Sequence, residues 1–296
     1  MSTNWDEEFE ALLNSKILYL NDDYWEFLVT RVWRLERAMD IVDFGCGYGY
    51  MGQKLLPLLP DGCTYTGVDQ APTLLGKGRE IFGQLPFDAK FIQADAHSVP
   101  LADNSFDLGV SRASIMHMTD QQQVVDEMVR VTRDGGMIVV CEGNPLAHMA
   151  AYYSSGPVQP SYDLGVMQRC YAATEKQNGR MTNIGFKLPT MLRQAGVVDV
   201  QCRLSDCVPC YLPGDSDDEH RARVYEAISG EGYGVPLDEL ESVISRYVEY
   251  GIEREVAEQY VRHLRRQISD FIENGPTYDI VYPGMISFSF GTVRKS

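Results

Sequence analysis

At 296 residues the chain can bury a full core and exceeds a minimal doubly wound domain by about a hundred residues. A formal net charge of -16 and a pI near 4.7 exclude nucleic acid as the leading partner, because phosphate binding is driven by Lys and Arg releasing counterions. Small or cationic substrates suit this balance better. No apolar run is long enough to cross a bilayer, and Asp6, Glu7, Glu8 and Glu10 crowd the start, where a signal segment would carry basic residues. The expectation is therefore a cytoplasmic protein with no membrane partner. Seven cysteines in a chain of this size are no disulfide framework, and Cys207 and Cys210 form an isolated C-x-x-C without a second pair of ligands, so no metal is expected.

In chain order, residues 22–38 predict a helix: Asp22 and Asp23 open it, and Tyr24, Phe27, Leu28, Arg31, Val32 and Leu35 recur at spacings of three and four. Its plain role is to cover a sheet. Next comes Val42-Asp43-Phe44-Gly45-Cys46-Gly47-Tyr48-Gly49-Tyr50, an apolar strand running into alternate glycines. Glycine carries no Cβ and tolerates positive φ, so such a turn brings backbone close to a nucleotide-like ligand. Gly47 to Gly52 also satisfies G-x-G-x-x-G, which alone is weak support for a dinucleotide fold.

Strands are predicted near 40–44, 64–68, 90–94, 107–111 and 137–141, alternating with helices at 49–59, 71–82 and 121–132, the last capped by Thr119-Asp120. This alternation is βαβ in character and implies parallel strands with right-handed crossovers. Asp134-Gly135-Gly136 reads as the turn into the fifth strand. A helix at 187–194, a sixth strand at 197–204 and a seventh at 284–291 complete the pattern. Two stretches exceed it, 144–182 and 205–283. The second holds 17 acids and 7 bases, or -10 of the total -16, with helices predicted near 236–250 and 253–273.

The ordered motifs Asp43-x-Gly45-x-Gly47-x-Gly49, Gly67-x-Asp69, Asp95-Ala96 and Phe106-Asp107 resemble those of the class I S-adenosylmethionine-dependent methyltransferases of small-molecule type. That resemblance implies a Rossmann-like α/β fold, a doubly wound seven-stranded sheet with an antiparallel last strand, here with helical insertions. It is strong over 40–142 and moderate over 183–204 and 284–293. It divides the chain into a helical lid at 1–39, a cofactor-binding core at 40–204 with 284–296, and an acidic insertion at 205–283 that serves as a cap or a homodimer contact.

The resemblance assigns S-adenosylmethionine as cofactor. Asp69 would accept both ribose hydroxyls, as acids at this strand end do in dinucleotide folds, with Gln70 beside it. Asp95 and the Ala96 amide would meet adenine, walled by Leu74, Leu75 or Val99. Gly45, Cys46 and Gly47 would lie along the methionine portion, near Asp43. Arg112 follows the fourth strand at the carboxyl edge, where ligands sit in open α/β sheets, and joins the cofactor set. His117, within an apolar-His-apolar segment, is a candidate general base. Tyr19, Tyr24 and Glu142 are candidates for the acceptor pocket. The implied reaction is in-line methyl transfer to a small molecule, for which positioning and desolvation supply most of the acceleration. The alternatives are a regulatory or partner protein that binds the cofactor without transfer, and a nicotinamide oxidoreductase resting on Gly47 to Gly52 alone.

Overall fold

The computed structural model of the chain describes residues 15–233 and 240–295. Among them, ten strands run in chain order: β1 (Asp40–Phe44), β2 (Thr64–Asp69), β3 (Asp88–Gln93), β4 (Phe106–Arg112), β5 (Thr132–Gly143), β6 (Tyr153–Ser154), β7 (Val197–Leu204), β8 (Cys210–Tyr211), β9 (Ile280–Val281) and β10 (Ile286–Val293). Seven form one sheet of order β3-β2-β1-β4-β5-β10-β7. The β3, β2, β1, β4 and β5 neighbours pair in parallel, while β10 runs antiparallel to both β5 and β7. Strand order reverses between β1 and β4, which makes the carboxyl ends of those two strands the place for a ligand.

The period of two along the strands sorts two cores. Ile41, Val139 and Cys141 join a cluster with Trp25, Trp33 and Phe288, whereas Val42, Ile138 and Val140 join one with Val124, Met128 and Leu192. Helices α1 (Asp22–Phe27), α2 (Tyr50–Leu55) and α3 (Pro72–Phe82) cover the first face. Helices α4 (Gln121–Val131) and α7 (Leu188–Gln194) cover the second.

Several boundaries differ from the sequence reading for identifiable reasons. The helix expected to Ala38 ends at Phe27, continues as a π-turn over Leu28–Val32, and stops where Arg34 takes φ 52°. Asp120 does stand at the N-cap of α4, but with φ 45° and no capping bond from its side chain. The turn expected at residues 134–136 is absorbed into β5 as a looped irregularity: Phe106 pairs with Thr132 and Leu108 with Met137, so the intervening steps are unequal.

Asp107 fastens the amino-terminal end of this sheet. Its carboxylate accepts from Arg37 and from the Asp40 amide, both at 2.9 Å, and pairs with Arg133 at 2.7 Å. Replacing Asp107 by Ala leaves the Asp40 N–H without its acceptor and takes one acceptor from each guanidinium, Arg133 keeping Asp40 and the Ser105 carbonyl. We expect a loss of about 2 kcal/mol in urea unfolding at pH 7; an unchanged midpoint would show that water takes over all three contacts.

The two insertions are joined in space. β6, from the first, and β8, from the start of the second, flank β9, each by two residue pairs. Tyr152 then packs with Leu18, Tyr211, Val224, Phe271 and Tyr282. The remaining helices are α5 (Pro145–Ala151), α6 (Leu164–Asn178), α8 (Asp218–Ile228), α9 (Leu240–Glu249) and α10 (Arg254–Asn274). Asp217 caps α8 by accepting from the His220 amide at 2.9 Å. Cys170 of α6 shares a cluster with Ile244 of α9 and Tyr260 of α10, so the predicted helical pair of the second insertion closes on the first. Residues 236–239, which begin the predicted helix, lie outside the described residues.

Candidate cofactor and acceptor site

The loop after β1 passes beside β2 because the Gly45 and Cys46 amides both donate to the Val68 carbonyl, at 2.8 and 3.0 Å. Gly45 and Gly47 adopt φ of 67° and 54°. The two glycines answer different needs. A Cβ on Gly45 would lie 2.3 Å from Ser114 Oγ, in the loop after β4, so close packing across the switch point requires it. A Cβ on Gly47 would meet nothing nearer than Leu74 Cδ1 at 3.7 Å, so it would project into open space. This bare backbone is the floor of a cradle.

Asp69 spans its rim. One carboxylate oxygen accepts from the Gly47 amide at 2.8 Å and the other from the Ala71 amide at 2.9 Å. Asp43, at the end of β1, is 1% exposed. Its Oδ2 accepts from the Tyr65 hydroxyl at 2.6 Å, and its Oδ1 has no hydrogen-bond partner. Burial raises this carboxyl to about 7 against the opposing pull of the Tyr65 hydrogen bond, with Asp69 pushing upward and Arg112 downward. Cys46 turns its side chain inward, against the Gly67 backbone of β2.

Beyond β3, Asp95 is gripped by a residue that the sequence reading passed over. Asp95 Oδ1 accepts from the His97 amide at 2.9 Å and lies 2.6 Å from His97 Nδ1, while His97 Nε2 lies 2.7 Å from the Thr119 carbonyl. These contacts hold the Asp95 carboxyl below its usual range, the His97 amide first among the causes and Gln70 a further donor. For His97, burial works downward, but the Thr119 carbonyl and Asp95 outweigh it and the imidazole is raised. Gln70 and Asp95 are thus neighbours, and Ala96 is buried beside them. Leu74 faces the Gly47 loop, Leu75 packs into the first core and Val99 into the second.

Glu142, at the end of β5, is wholly buried. Its Oε1 accepts from the Ser114 and Ile115 amides at 3.0 and 2.7 Å, which fixes the turn carrying His117, and its Oε2 is unpartnered. Burial raises it to about 7 against those amide bonds. His117 ends the 3-10 turn Ile115–His117. Surrounding protein, then the Arg180 charge, holds its imidazole down to about 4, so it is neutral but weakly basic at pH 7.

Above the carboxyl edge, Arg112 sits with its guanidinium carbon 4.7 Å from the Tyr50 ring centre. Lys16 Nζ stands 4.8 Å from both the Tyr48 and Tyr50 rings. Tyr19 lies 3.2 Å, hydroxyl to hydroxyl, from Tyr282, and its hydroxyl donates to Glu231 of the second insertion. His148 of α5 packs on Tyr282 with ring centres 4.2 Å apart and planes inclined at 45°. Its Nδ1 is 2.7 Å from the Pro283 carbonyl, which fixes the proton on Nδ1. Tyr24 is placed elsewhere, packed on Phe27 and Phe288. Tyr282, Glu231 and Lys16 were missed because nothing local marks them; they meet only through the insertions and the amino-terminal segment.

A parallel sheet with a reversed seventh strand, a glycine cradle at its switch point and acids at the ends of β1 and β2 define a nucleoside-cofactor-binding α/β protein. Residues 42–140 match the family described as "Methyltransferase domain". That match takes in the glycine cradle, Asp69, Asp95 and Arg112, and covers about a third of the chain. A demethylmenaquinone methyltransferase from Desulfitobacterium hafniense is 28% identical over 130 residues, 43% of this chain and 51% of that protein. The chain spans about half the length of that curated relative. Two solved structures superpose with TM-scores of 0.51. The [4+2]-cyclase SpnF is 16% identical and matches over 99% of this chain and 94% of its own. Haemonchus contortus phosphoethanolamine N-methyltransferase 2, solved with phosphomonomethylethanolamine and S-adenosylhomocysteine, is 14% identical over 98% of this chain and 58% of its own. At such identities the likeness shows the fold.

Proposed function

We propose that the protein transfers a methyl group from S-adenosylmethionine to a small molecule bound beneath the joined insertions. The observation that supports this most is the unpartnered, buried Asp43 Oδ1 beside the bare Gly47 backbone: an acceptor with no donor next to a cradle with no side chain fits a cationic amino-acid end. Asp69 keeps lone pairs for ribose hydroxyls, Asp95 and the Ala96 amide suit adenine, with Gln70 alongside, and Leu74 gives an apolar wall. Gly45 and Cys46 line the loop, and Arg112 offers its charge to a carboxylate. When bound, the cofactor supplies an electrophilic methyl on a neutral leaving group.

The chain's own residues then have three tasks. Glycine cradle and acids hold the donor in line, which substitutes for lost entropy. Tyr19, from the segment before residue 40, and Tyr282, from the cap at 205–283, meet hydroxyl to hydroxyl and exclude water. A proton on the acceptor, where there is one, can pass to His148 or Glu231; burial raises Glu231 while Tyr19 and Arg112 act downward, and burial lowers His148. Burial, then the Arg180 charge, holds His117, the sequence-derived base, down to about 4, which makes it a poor proton acceptor at neutral pH.

Calorimetric titration with S-adenosylhomocysteine, with NADH as control, tests the reading. Binding in the micromolar range, weakened about a hundredfold in Asp69→Ala by loss of the charge-assisted ribose bonds, is the expected result. Binding of NADH alone would overturn it.

A further inference from the structure

A cavity of about 680 Å3 opens between the amino-terminal segment, α2 and α8. That is the size of a small-molecule site. Its wall carries Lys16, Lys54 and Arg223 against Asp22 and Glu226, with Tyr50 among the lining residues. Lys54 pairs with Asp22. Lys16 makes no ion pair among the described residues; its ammonium stands over Tyr48 and Tyr50. Arg112 and Lys54 share the Tyr50 ring with it, at 4.7 and 5.9 Å. Three cations around one ring is a costly arrangement in any protein, and conspicuous in a chain of net charge -16. Burial, then Arg112 and Lys54, lowers Lys16 to about 8.

The cations divide by position. Arg112 ends β4 beside the glycine loop, and its charge acts on Asp43. It therefore belongs with the amino-acid end of the cofactor. Lys16 lies on the opposite chain segment and lines the cavity.

We propose that Lys16, held over Tyr48 and Tyr50, is the subsite for an anionic group, carboxylate or phosphate, carried by the methyl acceptor. This rests on the methyltransferase reading above. The rings orient the ammonium by cation–π attraction, so an anion entering the cavity meets a positive charge that makes no ion pair among the described residues. The other source of the same chemistry is the cofactor's own carboxylate.

The test uses inorganic phosphate and acetate as probes, read by calorimetry at pH 7 and constant ionic strength with chloride as control. Wild type, Lys16→Gln and Lys16→Arg are each measured free and saturated with S-adenosylhomocysteine, and thermal melts confirm that all three are folded. The expected result is saturable probe binding in the saturated wild type, tenfold or more weaker in Lys16→Gln, restored in Lys16→Arg, with S-adenosylhomocysteine affinity alike in all. Probe binding that vanishes on saturation would assign Lys16 to the cofactor carboxylate and overturn the proposal, as would equal binding in Lys16→Gln. If S-adenosylhomocysteine does not bind at all, the methyltransferase reading falls, and Lys16-dependent probe binding in the free protein still upholds the anion site.

Discussion

Gly47→Val is expected to weaken S-adenosylhomocysteine binding about a thousandfold, about 4 kcal/mol, while the protein stays folded. The free protein has room for a Cβ there, since the nearest atom would be Leu74 Cδ1 at 3.7 Å. With no clash at the β carbon, the folding penalty is chiefly the left-handed backbone, φ 54°, of about 1–2 kcal/mol, which lowers the melting temperature by about 2–8 °C. The space the side chain enters is the cradle floor that a ligand must approach. Gly45→Ala makes the contrasting control: its Cβ would fall 2.3 Å from Ser114 Oγ, so folding itself should suffer. Calorimetry and thermal melts on both variants separate the two effects. Unaltered affinity in Gly47→Val would remove this loop from cofactor binding.

Asp43→Asn should stabilise the protein at pH 8 while impairing the site. Asp43 is raised from 3.8 to about 7 by burial. Between those values the folded protein retains a proton that the unfolded chain has released, so stability falls as pH rises through the window and the full penalty stands above about 7. The interval corresponds to roughly 4 kcal/mol at about 1.4 kcal/mol per pH unit. In the variant the amide oxygen can still accept from Tyr65, while the NH2 replaces the unpartnered oxygen and costs about 1–3 kcal/mol. The net expectation is a gain of about 2 kcal/mol at pH 8 and a loss at pH 5. Glu142, raised to about 7 in the same way, keeps its own slope in both proteins, so urea unfolding against pH should become shallower rather than flat. Cofactor affinity should move oppositely: in the wild type it climbs about tenfold per unit up to pH 7, as the carboxyl must ionise to meet a cation, and in Asp43→Asn that climb disappears. A variant no more stable than wild type at pH 8 would mean that Asp43 is ionised at little cost.

The parts of the fold that could be read from sequence are those whose signal is local. The strand at 40–44 is β1, 197–204 is β7, and the reversed last strand lies at Ile286–Val293, two residues beyond the expected start. Alternation along each strand fixed which side chains face which helices. The cradle was equally plain, since glycine spacing and a strand-end acid are contiguous features. Pairings of two residues were invisible: nothing in Tyr153-Ser154 announces Ile280-Val281. The same holds for Asp43 with Tyr65, Glu142 with the amides at 114 and 115, and Lys16 with Tyr48 and Tyr50, where the partner's identity depends on tertiary placement. The helix at 22–38 was overdrawn because periodicity continues past Val32, whereas the backbone turns at Arg34.

The position of β10 has a bearing on synthesis. It is the last strand in the chain yet stands inside the sheet, between β5 and β7. A chain made from its amino terminus can assemble β1 to β5, and with them the cradle, as each segment emerges. β7 has no such opportunity: among the described residues its one ladder in the sheet is with β10, which follows the whole second insertion. Until then both β5 and β7 wait with an edge that β10 will later fill, the condition in which strands pair with the wrong neighbour. The polar residues along β7, Asp199, Gln201 and Arg203 among them, together with its largely exposed side chains, suit a strand that must wait in water before its place is made.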